Sequence, residues 1–163
     1  LNGLSPAQNR EVPPLNYALV EEMKVRWPKL KIILNGGLET LEEVRQRLSK
    51  LDGVMLGRAA YKTPWILSIV DNLIYGEPEK NTTRKDVIDM MVDYAATQKS
   101  LGVPVKSITR HMLGLFHAEP GAKAWRKRLA EEARGLDAEP EIIRHAYFAV
   151  SEAASLKIQG EAA

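Results

Sequence analysis

Two short loops in the first third of the chain carry the residues best suited to binding an anion. They are Asn35-Gly36-Gly37 and Gly57-Arg58, and each follows an apolar run. Glycine lets successive backbone N–H groups approach an anion closely, and an arginine fork can bond two phosphate oxygens at once. Together the loops predict a site for a phosphate-bearing cofactor. The alternative is that each glycine loop is only a tight turn between a strand and a helix.

A second set of residues is suited to binding nucleic acid. On one face of a predicted helix lie three cations spaced three and four residues apart, Lys123, Arg126 and Lys127. Arg110, one predicted helix earlier, could reach the same surface. Such a patch neutralises backbone phosphates and supplies affinity with little sequence information. The alternative is a solvated helix face balanced by Glu131 and Glu132.

Other kinds of site are not indicated. The chain has no cysteine, so these 163 residues offer no disulfide, thiolate ligand or cysteine nucleophile. Three histidines, His111, His117 and His145, lack the spacing of metal ligands, and we expect no metal. With 45% apolar and 27% charged residues, and no run long enough to span a membrane, the sequence predicts a cytoplasmic globular protein without a membrane segment.

The glycine loops are positioned by a predicted strand–helix–strand unit. A helix over Leu15–Trp27 precedes a strand at Lys31–Leu34. Thr40 and Glu43 form a capping box that begins the next helix, and Val54–Leu56 is a second buried strand. Two apolar strands joined by a helix favour parallel pairing, the repeating unit of α/β folds.

The cations are positioned by helices alone. After a helix at Pro64–Tyr75 and a linker, no strand pattern is found, and four amphipathic helices are predicted: Arg84–Leu101, Ser107–Phe116, Pro120–Arg134 and Glu139–Lys157. Their short connections favour an antiparallel bundle. The predicted domains are residues 1–76 and 84–163, with 77–83 as the linker.

Besides the two glycine loops, four runs of the sequence are distinctive: Gly3 to Leu15, Asp52 to Arg58, Arg110 to Phe116 and Pro120 to Arg126. Together these runs resemble one family, the DusA branch of the tRNA-dihydrouridine synthases. This resemblance covers nearly the whole chain, and the ordered series is more specific than any single loop.

The resemblance implies an α/β fold, the last strands of a TIM (β/α)8 barrel that binds FMN, followed by an all-α helical bundle that binds tRNA. It assigns the FMN phosphate to the residues of the two glycine loops: Asn35, Gly36, Gly37, Gly57 and Arg58. It assigns tRNA contacts to Arg10, Lys123 and Arg126, with Arg110 as a weaker candidate. Family members tend to have lysine where this chain has Ala7.

The same resemblance implies an activity. Such enzymes reduce D-loop uridines of tRNA, here at positions 20/20a, to dihydrouridine with electrons from NADPH, and the full-length enzyme is expected to be a monomer. The family's proton-donating cysteine and most of its flavin pocket belong to a preceding region. Because this chain begins at Leu1 and has no cysteine, we expect a fragment that has no catalytic residue of its own and is inactive alone.

Two alternatives remain open from the sequence. One is a phosphate-binding barrel flavoenzyme that acts on a small metabolite, with the last helices serving oligomerisation. The other is a non-enzymatic RNA-binding helical module. Salt-dependent binding of tRNA distinguishes the first from a tRNA-modifying enzyme, and retention of FMN by the intact protein excludes the second.

Overall fold

The computed structural model describes Ser5, Gln8 and residues 14–135 and 137–161, with side chains described as far as Ala153. The chain divides into two compact units, Leu1–Gly57 and Arg58–Ala163. The described part is mostly helical and contains one two-stranded sheet. No helix in it is both long and apolar enough to cross a membrane.

The first unit contains a parallel strand pair joined by a helix. Its elements are α1 (Tyr17–Arg26), β1 (Ile33–Asn35), α2 (Leu41–Leu48) and β2 (Gly53–Met55). The strands pair in parallel with Ile33 opposite Gly53 and Asn35 opposite Met55, which confirms the predicted strand–helix–strand unit. The predicted capping box at the start of α2 is also confirmed, with the Thr40 hydroxyl accepting the Glu43 N–H at 3.2 Å.

The core of this unit is small. Its buried apolar side chains are Leu34, Leu38, Leu41, Val44 and Leu51. α1 buries no residue, and large apolar side chains such as Val25 and Ile33 are 82% and 67% exposed. Each strand also pairs on one side only within the described residues, so this unit leaves strand edges and several large apolar side chains uncovered.

The second unit is entirely helical in its described residues. It contains α3 (Arg58–Lys62), a 3₁₀ helix (Pro64–Ile69), α4 (Val70–Tyr75), α5 (Arg84–Ser100), α6 (Val105–Thr109), α7 (Ala122–Glu132) and α8 (Ile142–Glu161). Thr83 and Asp86 form a capping box at the start of α5. Between them α5, α6, α7 and α8 supply one continuous apolar core.

Trp125 lies at the centre of that core. Its side chain is fully buried, its Nε1–H donates to the Met112 carbonyl at 2.9 Å, and its ring meets Phe116 edge to face with centroids 4.9 Å apart. Trp125 is therefore a core residue rather than a base-stacking platform. The polar edge of the indole is satisfied inside the protein, which fixes the segment before α7 against that helix.

Two of the predicted helices are wrong in part. The helix predicted at Ser107–Phe116 ends at Thr109, and tighter turns follow, in which the His111, Met112 and Leu115 N–H groups each bond the carbonyl three residues before. The helix predicted at Pro64–Tyr75 begins as a 3₁₀ helix. Apolar spacing alone does not distinguish a regular helix from such turns, because both place residues three apart on one side.

The compact units do not divide at the predicted linker. Residues 58–75 fall in the second unit, where Trp65 packs against the helical core. The domain limits drawn from the sequence, which concern the complete protein, stay a prediction.

Candidate phosphate and nucleic-acid sites

The two glycine loops leave the sheet at the same edge. β1 and β2 are parallel, and their last residues, Asn35 and Met55, are register partners. Neighbouring strands lie about 4.8 Å apart, so the segments Gly36-Gly37 and Leu56-Gly57 begin next to each other. This agrees with the expectation that both loops follow the carboxyl ends of parallel strands.

The first loop requires glycine. Gly36 and Gly37 have positive φ angles of 148° and 65°. A Cβ added to Gly37 would lie 2.7 Å from Leu15 Cδ1 and 2.8 Å from Tyr17 Oη, closer than real side chains approach. Only glycine allows the loop to turn beneath these two side chains.

The start of α1 holds this loop in place. Tyr17 Oη donates to the Gly36 carbonyl at 2.9 Å, and the Arg47 guanidinium stacks 4.4 Å from the centre of the Tyr17 ring. Arg47 in turn pairs with Glu21 at 2.6 Å, so α1, α2 and the loop are tied together. A loop pinned at one carbonyl has less freedom to lose when a ligand binds its N–H groups.

The amides available to an anion are limited by the capping box of α2. The N–H groups of Glu39 and Thr40 both donate to Glu43 Oε2 at 2.9 Å, and this hydrogen bonding lowers the pKa of the Glu43 carboxyl. Those two amides are therefore already occupied. Any amide donors that this loop offers to a phosphate come from residues 35–38.

The second loop is not explained by its protein surroundings. Gly57 does not have a positive φ, and a Cβ there would meet only Met55 at an ordinary distance of 3.4 Å. Arg58 begins α3, is exposed, and has no carboxylate partner among the residues that the structure describes. Gly57 is the last residue of the first unit, and Arg58 is the first residue of the second.

The predicted basic face of α7 is present as an exposed surface. Lys123, Arg126 and Lys127 are exposed, whereas Trp125 and Leu129 on the other side of the helix are buried. Within the described ranges, none of the three cations pairs with a carboxylate. The nearby pair is Arg128–Glu132 at 2.9 Å, so Glu132 neutralises a different cation from the three that were predicted to bind phosphate.

The paired and unpaired cations of the second unit occupy different places. Lys85 pairs with Asp89 at 2.6 Å and Lys99 with Glu139 at 2.6 Å, both cations lying on α5. Cations in α3, α6 and α7, or directly after α6, that have no carboxylate partner in the part of the chain described are Arg58, Lys62, Lys106, Arg110, Lys123, Arg126 and Lys127. Positive charge is therefore left unneutralised on these short helices rather than on α5.

Arg110 is held by neighbours that the sequence did not single out. Its Nε–H donates to His111 Nε2 at 2.9 Å, and His111 Nδ1 lies 3.1 Å from Tyr61 Oη. Arginine Nε can only donate, so His111 Nε2 accepts this hydrogen bond. These two contacts, Arg110 to His111 and His111 to Tyr61, orient Arg110 on the surface. Arg10, the remaining predicted tRNA contact, lies outside the described residues.

Sequence reasoning also missed Arg84. Its guanidinium donates to the Leu115 carbonyl at 3.0 Å and to Glu119 at 2.8 Å, and it stacks 4.4 Å from the Trp65 ring centre. The partners of Arg84 lie up to 35 residues away, so no local pattern points to this role. Arg84 therefore holds distant segments of the second unit together.

Among the described residues, no cluster of histidine and acidic side chains could hold a metal ion.

Comparison with known proteins assigns the chain to a family. A family model described as Dihydrouridine synthase (Dus) matches residues 2–150. The tRNA-dihydrouridine(20/20a) synthase of Shewanella oneidensis is 43% identical over 150 residues, which is 92% of this chain and 45% of that protein. The proteins of the same name from Escherichia coli and Vibrio cholerae are 42% and 43% identical over 93% and 90% of this chain, and 44% and 45% of their own lengths are covered.

The chain belongs to the dihydrouridine synthase family. The three relatives share the name tRNA-dihydrouridine(20/20a) synthase, the branch that the sequence runs resemble. The chain spans a little under half the length of each of them.

Proposed function

We propose that this chain is the part of a flavin-dependent tRNA-dihydrouridine synthase that binds the FMN phosphate and grips the tRNA. The observation that carries the proposal is the set of exposed cations on α3, α6 and α7 that have no carboxylate partner in the described part of a family member. Exposed cations without carboxylate partners attract anions, and the tRNA backbone is such an anion. The relatives' name supports positions 20/20a as the modified uridines.

In the complete enzyme, β1 and β2 would be the last two strands of a TIM (β/α)8 barrel and α5 to α8 the tRNA-binding bundle. The open edges of the sheet and the exposed apolar residues of the first unit support this, because the rest of a barrel would cover them. We place the enzyme in the cytoplasm, as a monomer, with NADPH as the reductant.

The residues present fit the phosphate end of FMN. Gly36 and Gly37 turn under Leu15 and Tyr17, and the glycine at position 57 has no protein contact that requires it. A ligand that approaches the backbone closely would explain it. Asn35, Gly36, Gly37 and Gly57 would offer backbone donors, and Arg58 would add a charged fork. When bound, FMN supplies the hydride chemistry, while these residues hold its anionic end.

This chain would contribute binding rather than proton transfer. It has no cysteine, the residue type to which the family resemblance assigns proton donation. The proton donor for the uracil ring would therefore come from the remainder of the enzyme. Lys123, Arg126 and Arg110 would position the tRNA by contacting its phosphates, which sets orientation without reading sequence.

The experiment that tests the proposed tRNA binding is a salt titration of tRNA affinity with the full-length protein. Replacing both Lys123 and Arg126 with Gln should weaken binding and reduce the slope of log affinity against log salt by about two units, one per lost phosphate contact. The matched control is Arg128→Gln, because Arg128 is already paired with Glu132 on the same helix. A double variant with the wild-type salt slope would contradict the proposal.

A further inference from the structure

A cavity of about 500 Å³ lies within the second unit, between α5 and the segment that contains α6. Val87, Met91 and Tyr94, spaced one helical turn apart on α5, form one wall. Ile108, Met112 and Leu115 form the opposite wall. The volume falls in the range of small-molecule sites, roughly 300–1,000 Å³, and it is large enough for a flat heteroaromatic ring.

The lining of this cavity suits an uncharged ring with a polar edge. No Asp, Glu, Lys or Arg is among its lining residues in the described chain. Two rings, those of Tyr94 and His111, supply flat surfaces, and Gln98 and Ser107 supply hydrogen-bonding groups. Both nitrogens of His111 are engaged by Arg110 and Tyr61, so His111 offers the cavity the face of its ring.

Cations stand next to the cavity wall. Lys106 and Arg110 each immediately precede a lining residue, Ser107 and His111. Both are exposed, and neither pairs with a carboxylate in the described ranges. Lys106 and Arg110 are four residues apart, so they form a row beside the lining row rather than facing the apolar interior. An apolar cavity with positive charge outside it matches a nucleotide, whose base is neutral and whose phosphate is anionic.

We propose that this cavity receives one unpaired base of the tRNA, stacked against Tyr94, with its backbone phosphate on Lys106 and Arg110. Base–aromatic stacking accepts any base, and an amide and a hydroxyl can bond the base edge. The inference rests on the proposed tRNA substrate and adds to it a base-binding site on the helical unit. An apolar peptide would leave the two cations without a role.

The test is a thermodynamic cycle between protein and RNA, using the flavin-loaded full-length enzyme and tRNA transcripts that each lack one unpaired base. For the wild type, one abasic position should weaken binding by about 5- to 100-fold, the range that stacking covers. Tyr94→Ala should weaken binding of intact tRNA by a similar factor. Combining the two should cause no further loss, because both remove the same contact.

Three variants act as controls on this result. Tyr94→Phe keeps the ring and should bind like the wild type. Met90→Ala removes a 68% exposed side chain from the same helix but outside the cavity lining, and should also bind like the wild type. Gln98→Ala, which leaves the rings in place, should show its coupling at the same abasic position as Tyr94→Ala.

Additive losses at every abasic position would overturn the inference. A Tyr94→Ala variant that changed the oligomeric state without any coupling to a base would also overturn it, and would assign the cavity to a protein partner. These outcomes leave wild-type tRNA binding and dihydrouridine formation intact. Failure of the wild-type enzyme to bind tRNA would instead overturn the proposed function itself.

Discussion

Arg58 is the residue on which the phosphate assignment can be tested in isolation. Replacing it with Gln should weaken FMN binding by the full-length protein about 10- to 100-fold, since a charge-assisted hydrogen bond contributes about 1.5–3 kcal/mol. Riboflavin, which lacks the phosphate, should bind the variant and the wild type equally.

The matched control for that experiment is Lys62→Gln, one turn further along α3. Lys62 is also exposed and has no carboxylate partner in the described part of the second unit. It should leave both affinities unchanged. Equal loss of FMN and riboflavin binding in Arg58→Gln would assign Arg58 to the isoalloxazine or to folding rather than to the phosphate.

The packing of the helical unit leaves no room for a side chain at position 114, which is occupied by Gly114. A Cβ at this position would lie 2.1 Å from the Lys62 carbonyl oxygen and 3.1 Å from Pro64 Cδ. Because the backbone itself blocks the methyl group, Gly114→Ala should lower the free energy of unfolding by about 1–3 kcal/mol or more. Urea denaturation measures this change.

Gly135→Ala is the control for Gly114→Ala. Its Cβ would meet nothing closer than 3.8 Å, and its φ is not positive. Alanine there should leave stability unchanged or raise it slightly, by about 0.4–1 kcal/mol, through the unfolded chain. Equal effects of the two substitutions would contradict the close packing at Gly114.

Whether the role of a residue could be predicted from the sequence depends on how far apart along the chain the residue and its partners lie. Gly36 and Gly37 were predicted because a glycine loop after a strand is a local pattern. The contact of Gly114 with Lys62 and that of His111 with Tyr61 join residues about 50 apart. Nothing in the sequence near either residue records its partner, so only the folded chain reveals these contacts.

At the level of the elements, the stability of the β1–β2 pair depends on Asp52. This carboxylate pairs with Lys24 at 2.7 Å and accepts the Ile32 N–H at 2.9 Å, next to the start of both strands. The Lys24 ammonium, the Ile32 N–H and the Lys31 ammonium hold the pKa of the Asp52 carboxyl well below its usual value. The unfolded chain has no such partners.

The sign of the resulting pH dependence follows from that depressed pKa. At low pH the unfolded chain binds a proton at Asp52 more readily than the folded chain does. The stability from Asp52 is therefore present above the ordinary pKa of about 3.9, and is lost as the pH falls toward the folded value. In the full-length protein Asp52→Asn should be less stable than the wild type at pH 7, and the difference should shrink below about pH 4.

Urea unfolding midpoints at pH 7 and below pH 4 measure this difference. Asp137→Asn is the control, because Asp137 is exposed and has no ion pair within the described residues. A constant difference between Asp52→Asn and the wild type across this pH range would contradict the account.

Elements were predicted well where their ends are marked by local chemistry. α2 begins at the capping box that the sequence indicated, because the Thr40 hydroxyl and the Glu43 side chain three residues later are local. α6 was predicted too long. The turns after Thr109 are fixed by distant contacts, among them the hydrogen bond from Trp125 to Met112, which helical spacing does not encode.

The whole molecule divides the work of the proposed enzyme between its two units. The first contains the glycine loops at one edge of a parallel sheet, and the second contains Arg58 and the exposed cations that we propose bind RNA. The sequence runs alone indicated the family, because an ordered series of motifs is more specific than any fold pattern. The barrel and the bundle of the complete enzyme stay predictions.

The most direct test of the account is a turnover assay with unmodified tRNA, NADPH and FMN. The full-length protein should convert D-loop uridine to dihydrouridine, detected by mass spectrometry of tRNA fragments as a gain of two hydrogens. Residues 1–163 alone should yield none, since they contain no cysteine to donate the proton. Absence of dihydrouridine with the flavin-loaded full-length protein, or its formation by these residues alone, would contradict the account.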